Sequence, residues 1–318
     1  MMNRNRYLYH LIALAAVTVW GLTFISTKKL IQFGITPEEI FVLRFLVAYA
    51  GIWVLALFPA RGASPRQPAS AAGQVDSPRR LWAASWKDEL LLLLGGITGG
   101  SVYFWAENTA LSYTQATNVS FIVCTAPLYT ALLSLLIERK ERATLPLLFG
   151  SLLAVVGMGL VVYNGQFVLK LSPLGDILSL TAALVWACYS LIMRRMSDRY
   201  HTLFITRKIF FYGILTILPT FIYKPWSAGM SLLVQPAILF NLLFLGVLAS
   251  LVCYAAWNLV LRQLGTVRAS NYIYLNPVFT LLGSALWLSE QITATALLGA
   301  GCILAGVYWA GKRGGNQS

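Results

Sequence analysis

Ten stretches of about 20 apolar residues, parted by short charged breaks, constrain this chain more than any motif in it. They run roughly through 8–27, 40–58, 89–109, 115–137, 145–163, 174–193, 206–223, 237–260, 267–288 and 292–310. A helix of that length crosses a bilayer core and satisfies its own backbone hydrogen bonds where no water can. The breaks hold what lipid excludes: Lys28-Lys29, Thr36-Pro37-Glu38-Glu39, Glu138-Arg139-Lys140-Glu141-Arg142, Arg194-Arg195 and Lys224-Pro225. Spanning strands would show alternating segments of about ten residues, and the sequence has no such alternation. Of the 318 residues 58% are hydrophobic and 11% are charged, against about 25% charged in a soluble domain. That excludes a soluble enzyme, a DNA-binding domain and a secreted scaffold. The expected fold is an all-α integral membrane protein of ten transmembrane helices, in the cytoplasmic membrane.

The net charge of +13 could suggest a nucleic-acid partner, but the basic residues lie between apolar segments, as in cytoplasmic loops. With the N-terminus inside, outer segments hold only Lys28, Lys29, Lys170 and Lys224, Arg44 falls within a span, and every other lysine and arginine is on an inner segment. Both termini are expected to be cytoplasmic. The first span follows Arg4 and Arg6 but is too long for a signal peptide and has no small-x-small cleavage site, so it reads as a retained helix. Residues 59–87, rich in Pro, Ala, Ser and Gly, read as a cytoplasmic linker near anionic headgroups, or else as a docking site for a partner.

Sliding the chain along itself exposes a repeat. Gly96 meets Gly246, Asn108 meets Asn258, Ser120 meets Ser270, Pro127 meets Pro277 and Thr130 meets Thr280. With one residue of slippage Glu141, Gly150 and Gly157 meet Glu290, Gly299 and Gly306, and Trp20 matches Trp186. The units are 1–165 and 166–318. Each holds five spans, an odd number, so the second must enter the membrane inverted. Inverted repeats are how many secondary transporters build two interchangeable halves around a midplane site.

These residues carry a family resemblance. Trp20-Gly21 with Phe24, Arg44-Phe45, Ala110-Leu111-Ser112-Tyr113-Thr114, Pro127-Leu128 and the paired Glu…Gly…Gly series resemble an EamA-type transporter of the drug/metabolite transporter superfamily. The resemblance covers nearly the whole chain outside 59–87. It implies ten helices, no ATPase, and movement of small metabolites such as amino acids, often outward. Trp186-Ala187 replaces the Trp-Gly of the first half, which makes the second copy the weaker match.

Ionisable residues inside lipid are costly and mark function by default; here they are Arg44 and Glu107. Arg44 lies about 6 Å below the outer boundary at 1.5 Å per residue, and Glu107 reaches a similar depth, which points to an ion pair. It is either a permanent lock between two helices, or a site where Glu107 takes a proton or a substrate ammonium, or the two residues face water at the outer rim. Gly96, Gly100, Tyr103 and Glu107 share one helix face, with the glycines read as close packing. Trp20 and Trp186, with Thr23 and Tyr189, either line an aromatic cavity or pack a core. Asn118 with Thr125, and Tyr272 with Asn276 and Phe279, offer polar groups to substrate or to neighbouring helices. Pro127 and Pro277 interrupt backbone pairing at matched depths and are the candidate hinges. Cys124, Cys188, Cys253 and Cys302 have no paired spacing and read as small buried residues, neither metal ligands nor disulfides. His10 and His201, at membrane boundaries, read as solvated. Glu141 and Glu290 read as caps of the fifth and tenth spans.

The leading reading is a secondary transporter that moves amino acids or similar amphipathic metabolites by alternating access, with export the expected direction and protons, through Glu107, the expected coupling ion. The alternatives are an ion-independent facilitator and a lipid-handling or scaffold protein with no soluble substrate. An intramembrane enzyme would need a nucleophile–base or metal constellation, and ATP-driven pumping a phosphate loop; the sequence offers neither. No cofactor and no nucleic acid are expected; the partners are membrane lipid and a small-molecule substrate, and the protein is a monomer or a homodimer.

Overall fold

The computed structural model describes residues 4–57, 80–114, 116–137, 145–163, 172–288 and 293–311, and among them it is helical without a strand. The elements are α1 Arg4–Gln32, α2 Pro37–Leu57, α3 Trp86–Gly96, α4 Val102–Tyr113, α5 Ala116–Val123, α6 Ala126–Ile137, α7 Leu145–Tyr163 and α8 Pro173–Ser197. They continue with α9 Thr202–Ile217, α10 Met230–Leu233, α11 Pro236–Leu243, α12 Cys253–Leu264, α13 Thr266–Ser270, α14 Asn276–Leu288 and α15 Ala294–Gly311. A π-helical stretch, Ile97–Ser101, joins α3 to α4, and a longer one, Phe244–Val252, joins α11 to α12. Single 3₁₀ turns follow α9 (Leu218–Ile222) and α13 (Asn271–Leu275).

Among the described residues, five continuous helices are long and apolar enough to cross a membrane: Tyr7–Gln32, Trp86–Tyr113, Pro173–Ser197, Thr202–Ile222 and Pro236–Leu264. Shorter apolar helices lie at Val119–Ser134, Leu148–Leu160 and Leu297–Trp309. Their ends follow local chemistry. Ser85 and Ser172 cap α3 and α8 by accepting from Asp88 N and Gly175 N, and Pro173 takes a first-turn position where its missing N–H costs nothing. On α8, Leu178, Ala182, Trp186, Tyr189 and Met193 are buried, while Ile177, Leu180 and Leu184 are exposed. In lipid an exposed leucine carries no penalty, so the outer face of α8 can stay apolar.

Packing between elements comes in matched pairs. α4 lies on α8 as α1 lies on α12; the first π stretch lies on α9 as the second lies on α2; α5 meets α14 as α13 meets α6. The most extensive pair is α7 with α15. A Cβ on Gly157 would stand 2.6 Å from Gly299 O and 2.7 Å from Ile303 N; one on Gly306 would stand 2.5 Å from Gly150 O and 2.7 Å from Ala154 N. Gly157 thus meets Gly299 while Gly306 meets Gly150, so the two helices run antiparallel, their backbones in contact. Gly96 and Gly246 play matched parts for the π stretches: a Cβ there would press on Tyr212 Cβ (2.5 Å) and Val47 Cβ (2.8 Å).

Pro127 and Pro277 both stand second in a helix that restarts after a break. α5 stops at Val123, turns through Cys124-Thr125 and restarts as α6; α14 restarts after the Asn271–Leu275 turn. The two breaks touch, Cys124 Sγ donating to Ile273 O at 3.2 Å. Beside them Ser120 Oγ lies 3.3 Å from Thr280 Oγ1. Glu141, Glu290 and residues 58–79 of the linker fall outside the described residues.

Candidate functional site

A cavity of about 30 Å³ lies where these matched elements converge. α1 contributes Trp20, Thr23 and Phe24; α2 contributes Arg44; α4 contributes Tyr103, Phe104 and Glu107. Val123 and Ala126 close it from the α5–α6 break, Ile273 and Asn276 from the second break, Trp186 from α8 and Tyr254 from α12. Such a volume has room for water.

The walls are aromatic. Trp20 meets Trp186 edge to face with ring centroids 5.4 Å apart, and lies 5.0 Å from Trp257 and 6.0 Å from Tyr254. Tyr103 lies 4.9 Å from Trp186. The π stretches help set these rings: an extra residue per turn displaces carbonyls from the helical ladder. Ala249 O accepts from Trp20 Nε1 at 3.0 Å, and Gly99 O accepts from Tyr254 OH at 2.7 Å.

Arg44 and Glu107 face this one cavity, Arg44 2% and Glu107 5% exposed. Three ion pairs occur among the described residues, and Arg44 with Glu107 is not one of them. Instead Arg44 Nε donates to Ser250 Oγ at 2.9 Å, and the guanidinium carbon sits 4.3 Å above the Phe104 ring. Arg44 and Glu107 therefore share the cavity without a direct ion pair between them.

The remaining candidates divide. Asn276 lines the cavity, with its Oδ1 lacking a protein partner, and so does Trp186, whose Nε1 lacks one too. Tyr189 sits behind Trp186 and bonds to Asn258 Oδ1 at 2.9 Å, outside the lining. Tyr272 OH lies 2.6 Å from His10 Nδ1, away from the cavity. That pairing corrects the solvated reading of His10. His201 is also engaged, its Nδ1 accepting from Leu203 N to cap α9. Thr125 turns its hydroxyl onto Ile122 O at 2.6 Å, and the Asn118 side chain lies outside the described residues. All four cysteines are free, and no metal-holding cluster of His, Cys, Asp and Glu occurs among the described residues.

Sequence reasoning missed Tyr254, Phe104 and Ser250. The first two were within reach, since the repeat sets Tyr254 opposite Phe104; the Ser250–Arg44 bond joins distant parts of the chain and leaves no local trace. It also missed the polar clusters at the two ends. At one end Asp88 pairs with Arg199 at 2.8 Å and accepts from Tyr200 OH at 2.8 Å, and Glu89 pairs with Lys208 and accepts from Tyr212 OH and Ala83 N. At the other, Glu38 pairs with Lys224 at 2.9 Å, and Glu39 accepts from Thr36 N (2.9 Å), Ala228 N (2.8 Å) and Ser227 N. Burial alone would raise the Glu39 pKa, but hydrogen bonds from the Thr36, Ser227 and Ala228 amides and the Thr36 hydroxyl outweigh it and hold the carboxyl below its ordinary 4.5.

Known proteins resemble this chain along most of its length. The profile of the EamA-like transporter family matches residues 8–163 and 173–311. A probable amino-acid metabolite efflux pump of Escherichia coli is 26% identical, over 93% of this chain and 92% of that protein. An uncharacterized transporter of Archaeoglobus fulgidus is 25% identical over 94% and 96%. A probable terminal-alkyne amino-acid exporter of Streptantibioticus cattleyicolor is 24% identical over 71% and 74%. A crystal structure superposes with a TM-score of 0.71 at 18% identity, covering 96% of both chains, and so shares the fold.

Proposed function

The chain belongs to the EamA-like transporter family, a multi-pass protein of the cell membrane, and from that premise we propose that it is a secondary transporter exporting amino acids or closely related amphipathic metabolites by alternating access. Its ten spans form two inverted halves, 1–165 and 166–318, with both termini in the cytoplasm. The exchange of contacts between matched helices and the antiparallel α7–α15 pair support the inversion. The amino-acid efflux named for the Escherichia coli and Streptantibioticus relatives supports the substrate class.

The observation that carries the proposal is the pair of buried, opposite, mutually unpaired charges in the cavity between the halves. A lone charge within a membrane is costly, and a zwitterion answers both at once: its carboxylate goes to Arg44 and its ammonium to Glu107, while its side chain lies among Trp20, Phe24 and Trp186. Glu107 then alternates between ammonium and proton, which couples efflux to proton entry. Alternating access opens the cavity toward one face at a time, breaking the Glu38–Lys224 or the Glu89–Lys208 cluster, with Pro127 and Pro277 as hinges.

The test is counterflow of a labelled amino-acid pool in proteoliposomes, with and without a proton gradient. Saturable uptake that follows the gradient is expected. Saturable uptake indifferent to it makes the protein an ion-independent facilitator, with Glu107 a binding group alone. Absence of uptake shifts the substrate to other metabolites or to lipids.

A further inference from the structure

Trp20 and Trp186 hold matched positions, yet one indole N–H is used and the other is not. Trp20 Nε1 donates to Ala249 O, in the π stretch of the second half. The matched acceptor for Trp186 is Gly99 O, in the π stretch of the first half, and the Tyr254 hydroxyl already occupies it at 2.7 Å. The residue opposite Tyr254 in the repeat is Phe104, which has no hydroxyl, so nothing competes with Trp20 for Ala249. The Trp186 N–H is buried, 5% exposed and without a protein partner, on a residue that lines the cavity with Arg44 and Glu107. A buried donor left unpaired is costly, and an indole N–H can only donate.

We propose that Trp186 Nε1 is a substrate-binding donor that bonds the carboxylate held by Arg44, and that Tyr254 is the positioning residue that keeps this donor free. The inference rests on the reading of the cavity as an amino-acid site. The carboxylate is the acceptor because Arg44 draws an anion into the cavity, while Glu107 repels one and takes the ammonium.

The test measures competition against labelled amino-acid uptake in proteoliposomes by each accepted amino acid and by its decarboxylated amine, which lacks the acceptor. In the wild type the amino acid competes far better than the amine. Trp186→Phe, which keeps the ring and removes the donor, lowers that preference about tenfold. Tyr254→Phe releases Gly99 O, lets the Trp186 N–H turn to it, and lowers the preference to a similar degree. The double variant loses no more than Trp186→Phe alone, because the group through which Tyr254 acts is gone. Uptake with an unchanged preference in Trp186→Phe overturns this inference alone, as do additive losses in the double variant. Absence of amino-acid uptake by the wild type overturns the amino-acid reading and this inference with it. Thermal unfolding in detergent separates lost binding from lost folding.

Discussion

Where the first half places Glu107 on the wall of the cavity, the repeat sets Trp257 in the second half; where the first has Phe104, the second has Tyr254. Arg44 too belongs to the first half. The scaffold around these residues is close to symmetric: glycines at Gly96 and Gly246 seat both π stretches, and Gly157 and Gly306 seat the α7–α15 contact from both sides. The chemistry facing the cavity is not. Two identical halves would present two identical ends to a ligand, whereas a zwitterion has two different ends. Packing tolerates symmetry and recognition requires its loss, so the halves are expected to answer substitution alike in the scaffold and unlike in the cavity.

The sharpest way to break this contrast is at the charges. Glu107→Gln and Arg44→Gln are each expected to cut amino-acid counterflow about 100-fold, the scale of leaving one buried charge without its counterpart. Trp257→Phe, at the position matched to Glu107, is expected to cost less than about tenfold. Equal losses at Glu107 and Trp257 would remove the asymmetry on which the site is argued.

Next in size are the scaffold glycines. A methyl at Gly157 or Gly306 meets backbone, which cannot move aside as a flexible side chain can. Gly157→Ala and Gly306→Ala should each destabilise the protein by about 1–3 kcal/mol, and by similar amounts, read as unfolding temperature in detergent. A large difference between them would show that the two sides of the contact are not equivalent.

The tryptophans should part ways. Trp20→Phe strips Ala249 O of its donor and is expected to cost about 1 kcal/mol of stability. Trp186→Phe removes a donor with no protein partner and should leave the unfolding temperature nearly unchanged.

The smallest effect expected is at the end sealed by Glu39. A carboxyl that ionises more readily folded than unfolded adds stability above the unfolded value and loses it as the pH falls through the lowered folded one. Unfolding temperature should therefore fall below about pH 4.5, and Glu39→Gln should flatten that fall while lowering stability at neutral pH.

Much of this was legible in the sequence because membrane helices announce themselves by length and because the repeat supplies its own alignment. Pro127 and Pro277 mark breaks that do occur at matched places, and the repeat brings Trp20 to Trp186. Helical spacing was a poorer guide to what faces the cavity. Tyr189 follows Trp186 by less than one turn and yet lies behind it, bonded to Asn258. Tyr272 shares a side of the ninth span with Asn276 but lies outside the cavity lining, hydrogen-bonded to His10. The π stretches were invisible, since Gly96 to Ser101 lies inside a single expected span and a π turn needs no residue that an α turn forbids. The fate of Arg44 was equally hidden: charge and depth pointed to Glu107, while Ser250 and the face of Phe104 hold the guanidinium.

The central claim is that one cavity reads both charged ends of one substrate. The most direct measurement is competition against labelled amino-acid counterflow by the same amino acid, its deaminated acid and its decarboxylated amine. The account predicts that the amino acid competes strongly and that both analogues, each missing one charge, compete at least about tenfold less well. Either analogue competing as well as the amino acid would contradict it, because one of the two buried charges would then have no part in recognition.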